Sequence, residues 1–158
     1  MLSLSTLIGK TIFQICYNYS HKNELQTFHS YVKLEDNTIF SLSNCDEIFY
    51  YLNESNIAYC NEQFDKGKEI EEQEKKKLLR QKIEDIYLCY YMDEIDDDKS
   101  LVLKLSNGIY LTEINYRPIG IPIGLCICNE LEFKDFQKRY VINEDYQIKS
   151  YLEDIKQL

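Results

Sequence analysis

Between Leu101 and Asn115 the chain reads LVLKLSNGIYLTEIN, two runs rich in strand-forming residues around an Asn-Gly pair. Asn followed by Gly tolerates the positive φ that both central residues of a two-residue type I′ turn require. Such a turn sets Ser106 opposite Ile109, Leu105 opposite Tyr110, Leu103 opposite Thr112 and Leu101 opposite Ile114. Facing residues share a side of the sheet. One side then carries Leu101, Leu103, Leu105, Tyr110, Thr112 and Ile114, and the other Val102, Lys104, Ser106, Ile109, Leu111 and Glu113. The first is the expected core face.

An earlier stretch, Tyr31 to Leu42 (YVKLEDNTIFSL), has a similar pattern with Asp36-Asn37 at the turn. Lys33-Leu34 matches Lys104-Leu105, and Ile39-Phe40 matches Ile109-Tyr110. Ile12 and Ile15 match Ile83 and Ile86. The spacing is 71 residues before the turn and 70 after it. Two origins fit: an internal duplication of residues 9–44 and 81–115, or chance likeness between two amphipathic hairpins. Two copies are too few for a solenoid, so the hairpins are expected to pair into one antiparallel sheet.

The remaining pattern supplies further elements. Leu7 to Tyr19 is dense in β-formers and predicts a strand. Ser43 to Asn56 predicts a short helix, with Ile48, Tyr51 and Leu52 on one face and Asp46, Tyr50 and Glu54 on another. Asn61 to Asp85 predicts a long helix with Glu71–Lys75 and Glu72–Lys76 pairs and a favourable acidic-to-basic polarity. Ile70 is its only large apolar residue between Lys66 and Lys77, so that part reads as a solvated projection or connector. Ile83 to Met92 predicts a strand, and Asp93 to Lys99 an acidic loop. Ile119 to Cys128 alternates bulky and small residues, with Pro122 marking an edge or a bulge. Glu130 to Tyr140 and Tyr146 to Leu158 have helical spacing. The fold class is therefore α+β in a single domain, 1–158. It is a mainly antiparallel twisted sheet of two hairpin units, with a long charged helix between them and two C-terminal helices packed on the sheet.

Composition narrows the function. With 18 basic and 27 acidic residues the net charge is -9. That disfavours a nucleic-acid backbone and an anionic membrane surface, and favours a basic partner or simple solubility. Six cysteines, four of them in apolar strand-like runs, fit a reducing cytoplasm better than a disulfide framework. The N-terminus lacks the pattern of a signal peptide, and no run approaches a membrane span.

Candidate chemistry is sparse. Gly9-Lys10-Thr11 lacks the earlier glycine of a phosphate-binding loop, since that position is Leu4. His21 and His29 have no metal-ligand or nucleophile setting. From Glu84 to Asp98 there are seven acidic residues and no basic one, but the glycine and terminal glutamate of a calcium-binding loop are missing. Cys126 and Cys128 point to one side of a strand. They suit soft-metal binding or redox chemistry as well as packing, and packing is the simpler reading. No catalytic residue, metal or cofactor is assigned, and the chain reads as a non-enzyme.

Acidic residues interleaved with tyrosines suit docking on a basic protein surface, because charge speeds encounter and tyrosine supplies contact area at low entropy cost. The candidate partner-binding residues are Asp46, Glu47, Tyr50, Glu54 and Tyr59 in one stretch and Asp93, Glu94, Asp96, Asp97 and Asp98 in another. In size, acidity, cysteine usage and hairpin-rich α+β pattern the chain resembles the small acidic immunity proteins that bacteria encode beside polymorphic toxins. The resemblance implies a cytoplasmic protein that neutralises a cognate toxin by direct binding, at or away from the toxin's active site. Two alternatives stay open: a phage or host accessory protein that inhibits a nucleic-acid-processing enzyme by charge mimicry, and a structural or scaffold subunit.

Overall fold

We describe a computed structural model of the chain for residues 4–22, 25–42, 54–96, 100–116, 121–144 and 146–156. A 3-10 turn at Leu4–Leu7 precedes β1 (Ile12–Lys22), β2 (Leu25–Leu34) and β3 (Ile39–Ser41). Two helices and a two-residue strand follow: α1 (Glu54–Lys66), β4 (Lys68–Glu69) and α2 (Glu72–Leu78). Then come β5 (Ile83–Tyr91), β6 (Glu94–Ile95), β7 (Val102–Leu105), β8 (Tyr110–Tyr116) and β9 (Ile121–Cys128). The chain continues through α3 (Glu130–Glu144), β10 (Tyr146–Ser150) and α4 (Tyr151–Lys156).

The strands form two antiparallel sheets. One has the order β3-β2-β1-β4, and the other β10-β5-β7-β8-β9 with β6 also paired to β5. The two hairpin units therefore do not merge into one sheet. They stack, and the main core lies between them: Ile12, Ile15, Val32, Leu34, Phe40 and Leu42 meet Ile83, Ile86, Leu88, Leu103, Leu105 and Leu111. The opposite face of the first sheet (Cys16, Tyr31, Ile39) is covered by Cys60 and Phe64 of α1. The opposite face of the second (Cys89, Val102, Tyr110, Cys128, Ile148) is covered by Phe133 of α3. The layers run helix, sheet, sheet, helix, so each sheet is covered on both faces at its centre.

The two units repeat at a constant spacing of 71 residues, on both sides of the turn. β1 and β2 pair through Ile12–Leu34 and Gln14–Lys33, with a bulge between them. β5 and β7 pair through Ile83–Leu105 and Asp85–Lys104, with the bulge at the same place. Val32–Phe40 and Lys33–Ile39 recur as Leu103–Leu111 and Lys104–Tyr110. The contacts between units are reciprocal too. Gly9 N–H donates to Ile83 O at 2.7 Å and Arg80 N–H to Ile12 O at 2.8 Å, and the Ile83 N–H to Lys10 O bond recurs as Ile12 N–H to Gln81 O. Gly9 and Arg80 both have positive φ. Thr11 pairs with its own equivalent, Lys82. Exchange of equivalent partners requires a local twofold axis beside that bridge.

The turns explain why the spacing does not change. Leu105 N–H donates to Ile109 O and Gly108 N–H to Leu105 O, while Leu34 N–H donates to Thr38 O and Asn37 N–H to Leu34 O. Each loop thus has three residues, a type I turn closed by one left-handed residue, Gly108 (φ 83°) or Asn37 (φ 72°). The two-residue turn expected at Asn107-Gly108 does not form. Tertiary bonds fix the longer loop: the Ser106 hydroxyl accepts Lys82 N–H at 2.9 Å, and Asn107 Nδ2 donates to Lys77 O at 2.8 Å. The one-residue slip reverses the faces of β8. Ile109, Leu111 and Glu113 turn toward the other sheet, and Tyr110 turns toward α3.

Glu113 is thereby 1% exposed. One carboxylate oxygen accepts Ser30 N–H at 3.1 Å and Ser30 Oγ–H at 2.6 Å, and the other accepts Ser100 Oγ–H at 2.7 Å. The local symmetry accounts for this. Leu101 N–H donates to the backbone oxygen of Leu42. The equivalent donor, Ser30 N–H, finds instead the side chain of Glu113, the residue equivalent to Leu42.

The long charged helix is also absent. The chain breaks after Lys66, because Gly67 lies against β1, where a Cβ would sit 3.0 Å from that of Cys16. Ile70 is buried in the intersheet core. Burying it contributes about 2–3 kcal/mol, more than the roughly 1 kcal/mol at stake in any one residue's helix propensity. The expected C-terminal helix at Tyr146–Leu158 begins instead as β10, and Ser150 Oγ then accepts the Glu153 N–H of α4. The helix expected at Ser43–Asn56 lies mostly outside the described residues, and α1 starts at Glu54.

Candidate functional site

The second unit departs from the first at the far end of β5. In the first unit β1 and β2 stay in one register to the tip, ending at Lys22–Leu25. In the second, β5 pairs with β7 at Tyr87–Val102 but with β6 at Tyr90–Ile95. β5 advances from 87 to 90, while the returning chain goes from 102 back to 95. Between these two pairings the returning chain is four residues longer than β5, and its sequence there includes Asp96, Asp97 and Asp98. Loops carried on a rigid scaffold are where binding residues concentrate.

The tip is a two-residue turn. Met92 and Asp93 have φ of 50° and 65°, the positive pair of a type I′ turn, and Tyr91 pairs with Glu94. This geometry arises at Met-Asp, not at Asn-Gly. Methionine in the left-handed region costs about 1–2 kcal/mol. The turn holds its side chain in solvent, 77% exposed, beside Tyr91 at 45%. β10 supports the tip from the other side: Tyr146 pairs with Tyr91, their ring centroids 5.1 Å apart. Lys149 lies over the Tyr90 ring at 4.9 Å and 3.8 Å from the exposed Asp93 carboxylate. Asp96 N–H donates to Cys89 O at 2.9 Å, which ties the end of β6 to β5. The result is a braced projection: an apolar point, Met92 with Tyr91, rimmed by Asp93 and Glu94.

The other expected residues are not joined to this tip. Tyr59 stands on α1, over the first sheet, at 55% exposure, and its side chain hydrogen-bonds the Tyr31 phenol beneath the helix. Glu54 is the first residue of α1. On the same helix Lys66 donates to Glu62 at 2.7 Å, holding the Glu62 carboxyl below its ordinary range and the Lys66 amine above its own. Burial beneath α1 pushes the Tyr31 phenol up. Asp46, Glu47, Tyr50, Asp97 and Asp98 lie outside the described residues. The structure thus brings Asp93, Glu94 and Asp96 together and sets Tyr59 on a different sheet's cover. Tyr91, Met92 and Tyr146 were missed from the sequence. A bulky residue with positive φ leaves no mark in a sequence, and the pairing of Tyr146 with Tyr91 is hidden by the misread β10.

Among the described residues no three His, Cys, Asp or Glu side chains converge as a metal ion would need. Among the same residues no helix is long and apolar enough to cross a membrane. No family model, curated protein or solved structure matches the chain.

Proposed function

We propose that this chain is a non-catalytic protein-binding protein that neutralises a basic toxin domain in the bacterial cytoplasm by direct contact, in the manner of immunity proteins. The observation that carries the reading is the braced tip of the second unit, where an exposed methionine held in a left-handed turn sits among tyrosines and carboxylates. Interfaces take most of their energy from a few central apolar or aromatic anchors ringed by polar groups. Met92 and Tyr91 supply the anchor. Asp93, Glu94 and Asp96 supply a negative rim, and Asp97 and Asp98 follow them in the sequence. A net charge of -9 draws a cationic partner toward that rim. Asp46, Glu47, Tyr50, Glu54 and Tyr59 form the second contact stretch of this reading.

The test is co-expression with a toxin encoded directly beside this gene. The wild-type chain is expected to restore growth and to co-purify with the toxin domain, with affinity that falls as salt rises. Failure of both rescue and co-purification removes the reading for that pair. If the partner is instead a nucleic-acid-processing enzyme whose substrate competes for the same surface, inhibition by charge mimicry replaces it.

A further inference from the structure

We infer that Cys126 and Cys128 form a redox-active dithiol that exchanges with low-molecular-weight disulfides of the glutathione class, Cys126 attacking and Cys128 resolving. Both cysteines lie on the α3-facing side of β9, two residues apart, and their Sγ atoms are 3.2 Å from each other. A disulfide closes at about 2.05 Å, so roughly an ångström of movement separates the pair from bonding. β9 is the last strand of its sheet. Its register with β8 slips beside Gly124 and Pro122. Two residues of extended strand span about 6.4–6.8 Å, at the upper end of the Cα separations that disulfides bridge. A bond at the limit of that range suits exchange more than a permanent staple.

The two sulfurs differ in environment. Cys126 is partly exposed, whereas Cys128 is buried. The hydrogen bond shared with Cys128, helped by Arg139 nearby, lowers the Cys126 thiol below its ordinary value against the opposing effects of burial and of Glu132. The same contact, with burial, holds Cys128 protonated. By contrast Cys16, buried under α1 near Glu69, is pushed up to about 11. An attacking thiol works best with a pKa near the ambient pH.

The step balances. The Cys126 thiolate attacks one sulfur of RSSR, giving a Cys126–S–S–R mixed disulfide and RS⁻, which takes up a proton as RSH. Cys128, losing its proton, attacks the Cys126 sulfur and expels the second RS⁻, which is protonated in turn. Two electrons pass from the protein dithiol to RSSR, and two RSH leave.

The full-length native protein is equilibrated in oxidised and reduced glutathione, quenched with an alkylating agent, and mapped by peptide mass. The peptide spanning both cysteines is expected to lose two hydrogens, while Cys16, Cys60 and Cys89 remain free thiols. Under limiting alkylation near neutral pH, Cys126 is expected to react at least about tenfold faster than Cys16. C128S is expected to trap one glutathione on Cys126, and C126S none on Cys128. Equal alkylation of Cys126 and Cys16, or oxidation of the pair only after unfolding, overturns the inference. Should either serine variant fail to fold, the wild-type peptide map decides alone.

Discussion

The two repeated units share a backbone and differ in what they add to it. The same bulge, the same three-residue turn and reciprocal bonds recur in residues 4–42 and 75–113. In the first unit the strands keep one register as far as Lys22–Leu25. In the second, the returning strand slips by four residues, a strained methionine is exposed, and the surplus chain is acidic. A third difference is internal: a leucine at position 42 becomes a buried carboxylate at 113. What the units have in common maintains the fold, so a role in binding is best sought where they diverge.

The largest expected effect tests the shared part. Leu34 and Leu105 are equivalent and fully buried. Replacing either with alanine should destabilise the protein by about 2–5 kcal/mol, and by similar amounts, in urea unfolding. A loss confined to one of them would mean that the two units do not contribute alike to the core.

Glu113 comes next. Glu113→Leu restores the residue type of the first unit but removes a buried acceptor from the Ser30 N–H and from two hydroxyls. It should cost about 2–3 kcal/mol, with Glu113→Gln milder because its carbonyl still accepts. A leucine variant as stable as wild type would show that the carboxylate merely fills space.

The sequence made some of this legible. Alternation revealed the hairpins, their approximate spacing and the small and bulky faces of β9, because these follow from local side-chain period. It misplaced the register of β8, since Asn-Gly serves a three-residue turn as well as a two-residue one, and the choice rests on Ser106 and Asn107 meeting residues 77 to 82. The break at Gly67 and the burial of Ile70 likewise depend on contact with β1, not on neighbours in the chain. Of the candidate site, Asp93, Glu94 and Asp96 were readable from charge. Their placement around Met92 was not, because it follows from a left-handed turn and from the pairing with β10.

A smaller effect of opposite sign is expected at the tip. Met92→Gly should relieve the left-handed methionine and stabilise the free protein by about 1 kcal/mol, raising the melting temperature by roughly 2–4 °C. A fall in melting temperature would show that Met92 contributes to the fold and not to an exposed surface.

The smallest effect concerns acid. Lys10 donates to Asp36 in the first turn and holds its carboxyl at about 2, below the ordinary 3.8. A depressed carboxylate stabilises the fold above its unfolded pKa, and the contribution is lost as pH falls from about 4 toward 2. For a largely solvated pair this amounts to about 0.5 kcal/mol or less. The second turn has Asn107 at the equivalent place and no such dependence. Asp36→Asn should therefore flatten the acid limb slightly, and an unchanged limb would count against the Lys10 contact.

The most direct measurement is the dissociation constant, by titration calorimetry, of the adjacent-gene toxin domain for the wild-type chain and for Asp93→Lys/Glu94→Lys. The account predicts binding at least about tenfold weaker in a variant that still unfolds cooperatively, its midpoint lowered only by the loss of the Asp93–Lys149 contact. Equal affinity in the two proteins would contradict it.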